Sequence, residues 1–290
     1  MRGFRVQAKI KSKKVSNILV KAILYVIIIA LSVLFAFPLF WMISTAFKSN
    51  EQIFAEPPIW IPKPIVFENF SNAWNKLPFN LFLKNTIIIT LTATIGIIIS
   101  SSLVGFAFAY LEWPGRDIWF VIMLSTMMLP AQVTMIPIFI LFTKLGWVNT
   151  FKPLIIPAYF GGGPFYIFLL RQFFLTIPRE LFDSATVDGC TSLDIFIRIA
   201  LPLVKPAISA VAIFSFMGHW NDFMGPLIYL RSTEKYTLSL GINMFRGYEG
   251  ITMWGELMAV SLVAAIPCLA IFFIAQKYFI QGITLTGLKG

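Results

Sequence analysis

The side chains able to do chemistry in this 290-residue chain are few and unevenly placed. There are 13 Asp and Glu residues, one histidine (His219) and two cysteines (Cys190 and Cys268). A single histidine excludes a multi-histidine metal centre. Two cysteines are too few for a disulfide scaffold or a thiolate cluster, and each reads as a small packing residue. Four of the acids, Glu180, Asp183, Asp188 and Asp194, crowd into one stretch. A second polar knot, His219-Trp220-Asn221-Asp222, interrupts an apolar run. No G-x-x-x-x-G-K-[ST] phosphate loop occurs, so ATP hydrolysis is not expected in this chain. A membrane-embedded enzyme needs a convergent acid–base or metal constellation, which scattered acids do not supply. No catalytic residue, cofactor or metal ligand is therefore assigned.

The elements that hold these groups are membrane spans. Hydrophobic residues make up 58% of the chain and charged residues only 12%, about half the share in soluble domains. The mean hydropathy is +0.82. A hydrocarbon core of about 30 Å needs roughly 20 mostly apolar residues per helix. Runs of that kind predict an all-α polytopic protein with six transmembrane helices, over about 22–47, 85–111, 118–143, 153–175, 206–230 and 257–276. The runs are too long and unalternating for a barrel. The first is too long for a signal h-region and reads as a retained helix. Six spans put both termini on one side. That side carries fourteen of the 23 Lys and Arg residues against nine on the other, so the termini are expected in the cytoplasm. Residues 1–21 form a basic arm, and 22–290 the membrane domain. The net charge of +10 reports this orientation rather than a nucleic-acid partner.

Several details refine the picture. Ser101, Gly105 and Ala109 share one helix face, and packing within the chain is favoured over a subunit interface. Pro130 and Pro137 in the third run, and Gly161-Gly162-Gly163-Pro164 in the fourth, mark interruptions, which are tolerated only where protein or a water cavity satisfies the freed backbone. The exterior loop from Lys48 to Lys84 is rich in Pro and Trp and suits an ordered interfacial segment.

The cytoplasmic loop 177–207 carries the strongest pattern. Leu181, Phe182 and Ala185 recur on one helical face, Gly189 supplies a left-handed stop, and Thr191 or Ser192 caps a second short helix that Pro202 ends. The element reads as a compact projection with apolar groups and Ala185 at its tip. Asp183-Ser184-Ala185, three residues, Gly189, nine residues, Ile199, one residue, Leu201-Pro202 resembles the EAA loop of permease subunits of binding-protein-dependent ABC importers. Asp183 stands for the usual Glu, and Ser184 for the first Ala. Trp220-Asn221-Asp222-Phe223 with Pro226-Leu227, Tyr236-Thr237-Leu238 and the C-terminal Gln276-Lys277-Tyr278-Phe279 are similar to the carbohydrate-uptake branch, the shorter permease of maltose and glycerol-3-phosphate type systems.

That resemblance implies a type I-like permease fold in a bacterial or archaeal plasma membrane. It implies a heterodimer with a second permease, two ATPase subunits that hold ATP and Mg, and an extracytoplasmic solute-binding protein. It assigns ATPase coupling to Asp183, Ser184, Ala185, Gly189, Ile199, Leu201 and Pro202. His219, Trp220, Asn221 and Asp222, about 20–24 Å along the fifth span, stand as possible pathway residues, with an interfacial anchor equally open. The expected cargo is a sugar or oligosaccharide. The alternatives are a non-sugar solute such as glycerol phosphate, an amino acid or a metal, and an ion-coupled secondary carrier, for which His219, Asp222 and Glu256 offer few ionisable groups.

Overall fold

A computed structural model describes residues 2–246 and 252–286, the side chains of 2–18 and 275–286 excepted. Among these residues the chain is helical throughout. Leu19–Ala46, Phe79–Tyr110, Lys152–Phe174 and Trp254–Ile274 are long and apolar enough to cross a membrane, and the number reaches six if each of two bent helix pairs is one span.

Three of the expected spans are not continuous rods. The run 118–143 is two helices, Arg116–Met128 and Ala131–Lys144, bent by 100°. The cause is Pro130. The residue before a proline is pushed out of the helical region, and Leu129 is extended (φ −79°, ψ 122°). Pro137 lies inside the second helix without breaking it. The run 153–175 begins as a short helix, Lys152–Ile155, tightens over Ile156–Tyr159, and restarts at Pro164–Phe174. Between them Gly161, Gly162 and Gly163 all have positive φ. The run 206–230 divides into Lys205–Trp220 and Met224–Tyr229. Asp222 Oδ1 accepts the Gly225 N–H at 3.0 Å, a local bond that starts the second helix in place of continuing the first.

Of the described residues, 74–246 and 263–286 form one contact unit, centred on the helix Phe79–Tyr110. Its 32 residues extend about 48 Å at 1.5 Å per residue. Pro164–Phe174 and Lys205–Trp220 pack along it. The small-residue face explains how closely. A Cβ on Gly105 would lie 3.2 Å from Leu170 Cβ, and one on Gly162 would lie 2.8 Å from Ser100 Oγ and 3.1 Å from the Ile97 carbonyl. Ser100 Oγ donates to the Ala158 carbonyl at 2.7 Å. Gly105 and Ser101, both placed on one face by sequence, thus serve packing within the chain.

The exterior end of the same helix is gripped by the segment 234–238. Asn85 Nδ2 donates to the Glu234 and Tyr236 carbonyls at 2.9 and 3.0 Å, and the Leu238 N–H donates to Thr86 Oγ1 at 2.8 Å. Nearby, Asn149 (φ 60°) bridges two exterior loops. Its Nδ2 donates to Ser232 Oγ at 2.7 Å, and its Oδ1 accepts the N–H groups of Arg231 and Ser232 at 3.1 Å.

Residues 2–73 and 252–262 form the other unit. The Pro- and Trp-rich loop in it is ordered, as its composition suggests. Ser44 Oγ donates to the Trp60 carbonyl at 2.6 Å, Asn69 Nδ2 donates to the Ala46 and Lys48 carbonyls, and Trp41 and Trp60 meet edge to face. Ser49 and Gln52 make a reciprocal capping box.

Candidate functional site

Two helices and one glycine turn build the cytoplasmic element. Arg179–Val187 forms the first helix, with Pro178 immediately before it. Gly189 has φ 86°. Its N–H donates to the Thr186 carbonyl at 3.0 Å, and the Cys190 N–H donates to the Ala185 carbonyl at 2.9 Å. This pair of bonds is a Schellman stop, and only a residue without Cβ adopts its left-handed position without strain. Cys190 takes the next position, half-buried against the apolar cluster. Thr191, not Ser192, caps the second helix. Thr191 Oγ1 donates to Asp194 Oδ2 at 2.5 Å and accepts the Asp194 N–H at 3.2 Å. The threonine hydroxyl, then the Thr191 N–H and the nearby Arg198, hold the Asp194 carboxyl below the ordinary aspartate value.

Pro202 does not end this helix as expected. Ser192–Ile195 continues through a widened π turn at Phe196–Ala200 into Leu201–Leu203 and stops at Val204. The Leu201 N–H reaches back five residues to the Phe196 carbonyl. The wide turn shifts the hydrogen-bond register just ahead of the proline, which then sits in the helix without breaking it. The helix Lys205–Trp220 follows at 80°.

The apolar face is also distributed differently from the sequence expectation. Phe182 and Ala185 point inward, 3% and 7% exposed, so Ala185 is not at a free tip. They join Phe106, Ala109, Phe174, Ile195, Phe196 and Ala200 in one cluster beneath the spans. The rings of Phe106 and Phe196 lie 5.2 Å apart, and those of Tyr110 and Phe182 4.7 Å apart. Tyr110 Oη and Thr186 Oγ1 share a hydrogen bond at 3.3 Å, and Arg179 pairs with Glu112 at 3.0 Å. The outward residues include Asp183, Ser184, Val187 (88% exposed), Asp188, Gly189 and Leu193, and Leu181, expected on the same face as Phe182 and Ala185, is exposed as well. Ile199 and Leu201 are half-buried and Pro202 is exposed. Of the seven residues singled out from sequence, Asp183, Ser184, Gly189 and Pro202 lie on the surface, while Ala185 belongs to the packing beneath. The aromatic seat of Phe106, Tyr110 and Phe174 was missed. Its signal was the i, i+4 aromatic pair Phe106 and Tyr110 at the cytoplasmic end of the second span.

The intramembrane cluster is held by its own chain. Trp220 is 5% exposed and its Nε1 donates to the Ala264 carbonyl at 3.0 Å. Asn221 Nδ2 donates to the Met217 carbonyl at 2.8 Å, and Asp222 starts the following helix. His219 Nδ1 lies 2.8 Å from the Ser215 carbonyl. A carbonyl only accepts, so Nδ1 carries a proton, and Nε2 is the ring nitrogen turned away from this bond. Ser215 Oγ donates to Thr94 Oγ1 at 3.2 Å. One turn further along, Thr90 Oγ1 is buried with no hydrogen-bond partner among the described residues. Thr90, Thr94, Ser215 and His219 thus make a polar patch between the second and fifth spans.

Comparison with known proteins places this arrangement. The profile of the family described as "Binding-protein-dependent transport system inner membrane component" matches residues 101–285. The arabinooligosaccharides transport system permease protein AraQ of Bacillus subtilis (strain 168) is 37% identical over 264 residues, covering 90% of this chain and 92% of that protein. The diacetylchitobiose uptake system permease protein DasC of Streptomyces coelicolor is 34% identical over 254 residues, 88% of this chain and 92% of its own. A crystal structure of a bacterial ABC transporter that imports the acidic polysaccharide alginate contains a chain of the same fold, with TM-score 0.81, 22% identity and coverage of 91% of this chain and 98% of that one. The secondary-carrier reading falls with these matches. The chain belongs to the binding-protein-dependent inner-membrane permease family of ABC transporters, as a multi-pass transport subunit and not the ATPase.

Proposed function

We propose that this permease imports a short neutral oligosaccharide, handed over by an extracytoplasmic binding protein and moved through a pathway shared with a second permease. Two ATPase subunits, carrying ATP and Mg, supply the energy. The two named relatives, for arabinooligosaccharides and diacetylchitobiose, favour a sugar over glycerol phosphate, an amino acid or a metal. The polar patch fits that cargo. Thr90, Thr94 and Ser215 are buried within the chain, so the half-buried His219 ring is the part of this patch able to exchange hydrogen bonds with sugar hydroxyls. His219 is the member of the sequence cluster suited to meet solute, through Nε2. Trp220 and Asp222 serve the fold, and Asn221 is tied to its own helix.

The observation that carries the coupling role is the two-sided loop 177–207. Its inner face is packed on Phe106, Tyr110 and Phe174, and its outer face offers Val187 and Leu193 flanked by Asp183 and Asp188. Such a surface suits a cleft with an apolar floor and basic rim on the ATPase. Closure of the ATPase pair would then press on a rigid knob and move the spans, biasing a two-state membrane assembly by nucleotide state. In this reading the exterior segment 231–256, of which 247–251 lie outside the described residues, meets the binding protein.

The test is uptake by proteoliposomes holding the assembled transporter, with a panel of oligosaccharides. ATPase stimulation by the loaded binding protein for one class of sugar is expected. Stimulation by glycerol phosphate, an amino acid or a metal instead would overturn the cargo assignment.

A further inference from the structure

A polar cleft and an apolar groove adjoin at the cytoplasmic end of the second span. The cleft, about 350 Å³, is formed by the turn that carries Glu112, Trp113, Arg116 and Asp117. The groove, about 550 Å³, is walled by Phe108, Trp113, Trp119, Ile122 and Met123. Trp113 is common to both. One end of this continuous feature is charged and the other is made of rings and aliphatic carbon, and it lies where the positive-inside rule puts the inner leaflet.

The charges in and behind the cleft do not cancel. Arg179 pairs with Glu112 at 3.0 Å. Asp117 is shared between Arg116 at 3.0 Å and Arg171 at 4.0 Å. The Arg171 guanidinium is fixed from behind, 4.1 Å over the Phe120 ring and with its Nε–H on the Phe108 carbonyl at 3.2 Å. Three guanidinium groups against two carboxylates leave one positive charge at the mouth of an apolar groove.

We propose that this feature binds one anionic phosphodiester lipid of the inner leaflet, a lipid of the phosphatidylglycerol kind. Its phosphate, with a single negative charge, sits against Arg116 and balances the surplus. Its acyl chain lies in the groove between Trp113 and Trp119. A zwitterionic lipid brings a second, positive group that leaves the surplus uncompensated. Basic pockets on the cytoplasmic side of helix bundles hold anionic headgroups by this logic. A lipid seated here would touch the end of the second span, the start of the third and, through Arg171, the fourth.

The experiment is lipid retention by the transporter assembled with its partner subunits. The complex is equilibrated in nanodiscs of equal phosphatidylglycerol and phosphatidylcholine, then stripped, and the lipid that remains is measured by native mass spectrometry. Enrichment of phosphatidylglycerol is expected for the unsubstituted protein. Arg116→Gln should lower that enrichment about fivefold, the worth of one basic side chain near a charged leaflet. Trp119→Ser, which leaves every charge in place, should lower it too. Lys205→Gln, on the same side of the membrane but outside the cleft, should leave it unchanged. Equal retention of both lipids by the unsubstituted protein would overturn the proposal. So would a Lys205→Gln effect as large as that of Arg116→Gln, or no effect of Trp119→Ser.

Discussion

Replacing Gly189 separates backbone strain from contact with a partner. At φ 86° an L-residue costs about 1–2 kcal/mol relative to glycine. Nothing lies within 4 Å of a Cβ built there, so the fold of this chain adds no steric cost. The chain escapes the strain only by opening the turn, which gives up the bonds from Gly189 to Thr186 and from Cys190 to Ala185. Those contribute about 1 kcal/mol each, so the strained turn and the open one come out close in energy. Gly189→Ala and Gly189→Leu should therefore destabilise the element alike, shifting its closed-to-open ratio about 5- to 30-fold. Gly189→Asn should cost less, because asparagine tolerates the left-handed region. Hydrogen exchange of the segment 179–204 reads this in the purified permease. In the assembled transporter, uptake per ATP hydrolysed should fall in the order glycine, asparagine, alanine, leucine, since only leucine also intrudes on the docked cleft. Unimpaired coupling by Gly189→Leu at normal expression would refute the reasoning. A Gly189→Leu exchange rate far above that of Gly189→Ala in the permease alone would refute the claim that the cost is purely backbone.

Other substitutions test other joints of the fold. Asn149→Ala removes three hydrogen bonds and leaves alanine at φ 60°, which should cost about 2–4 kcal/mol and lower the melting temperature of the detergent-purified permease. Gly162→Ala puts a methyl against Ser100 Oγ and the immovable Ile97 carbonyl, and should reduce folded yield through about 2–5 kcal/mol of strain and overpacking. Trp220→Phe leaves the Ala264 carbonyl without its donor and should cost about 1–3 kcal/mol with transport retained at low temperature. Asp194, with its folded pKa depressed, stabilises the helix that Thr191 caps above the ordinary aspartate value, and the benefit disappears as pH falls through the lowered pKa. Unfolding temperatures of the unsubstituted permease and Asp194→Asn should differ slightly at neutral pH and converge in acid.

What was legible in the sequence follows the range of the physics involved. Apolar runs set by bilayer thickness are local, and so are caps such as Thr191 with Asp194 and the left-handed stop at Gly189. The breaks were visible as Pro130 and the three glycines, but a proline does not announce how far a helix turns. The same residue type bends the chain by 100° at Pro130 and passes unnoticed at Pro137 and Pro202, because the outcome depends on whether the surrounding turns widen or pack. The inward turn of Ala185 depends on the cluster around Phe106, far away in sequence on another helix, and no local periodicity carries that information. The same holds for the polar patch, which joins Thr90 and Thr94 to Ser215 and His219 across more than a hundred residues.

The helix Phe79–Tyr110 has a further consequence for building hybrid transporters. Its outer end is bonded to the loop we propose meets the binding protein, and its inner end forms the seat of the loop we propose meets the ATPase. Exchanging either loop with that of a relative, without the matching end of this helix, leaves Asn85 and Thr86 or Phe106 and Tyr110 facing the wrong surface. The exchangeable module is therefore the rod together with both of its loops, and a chimera that respects that boundary keeps the two compartments in register.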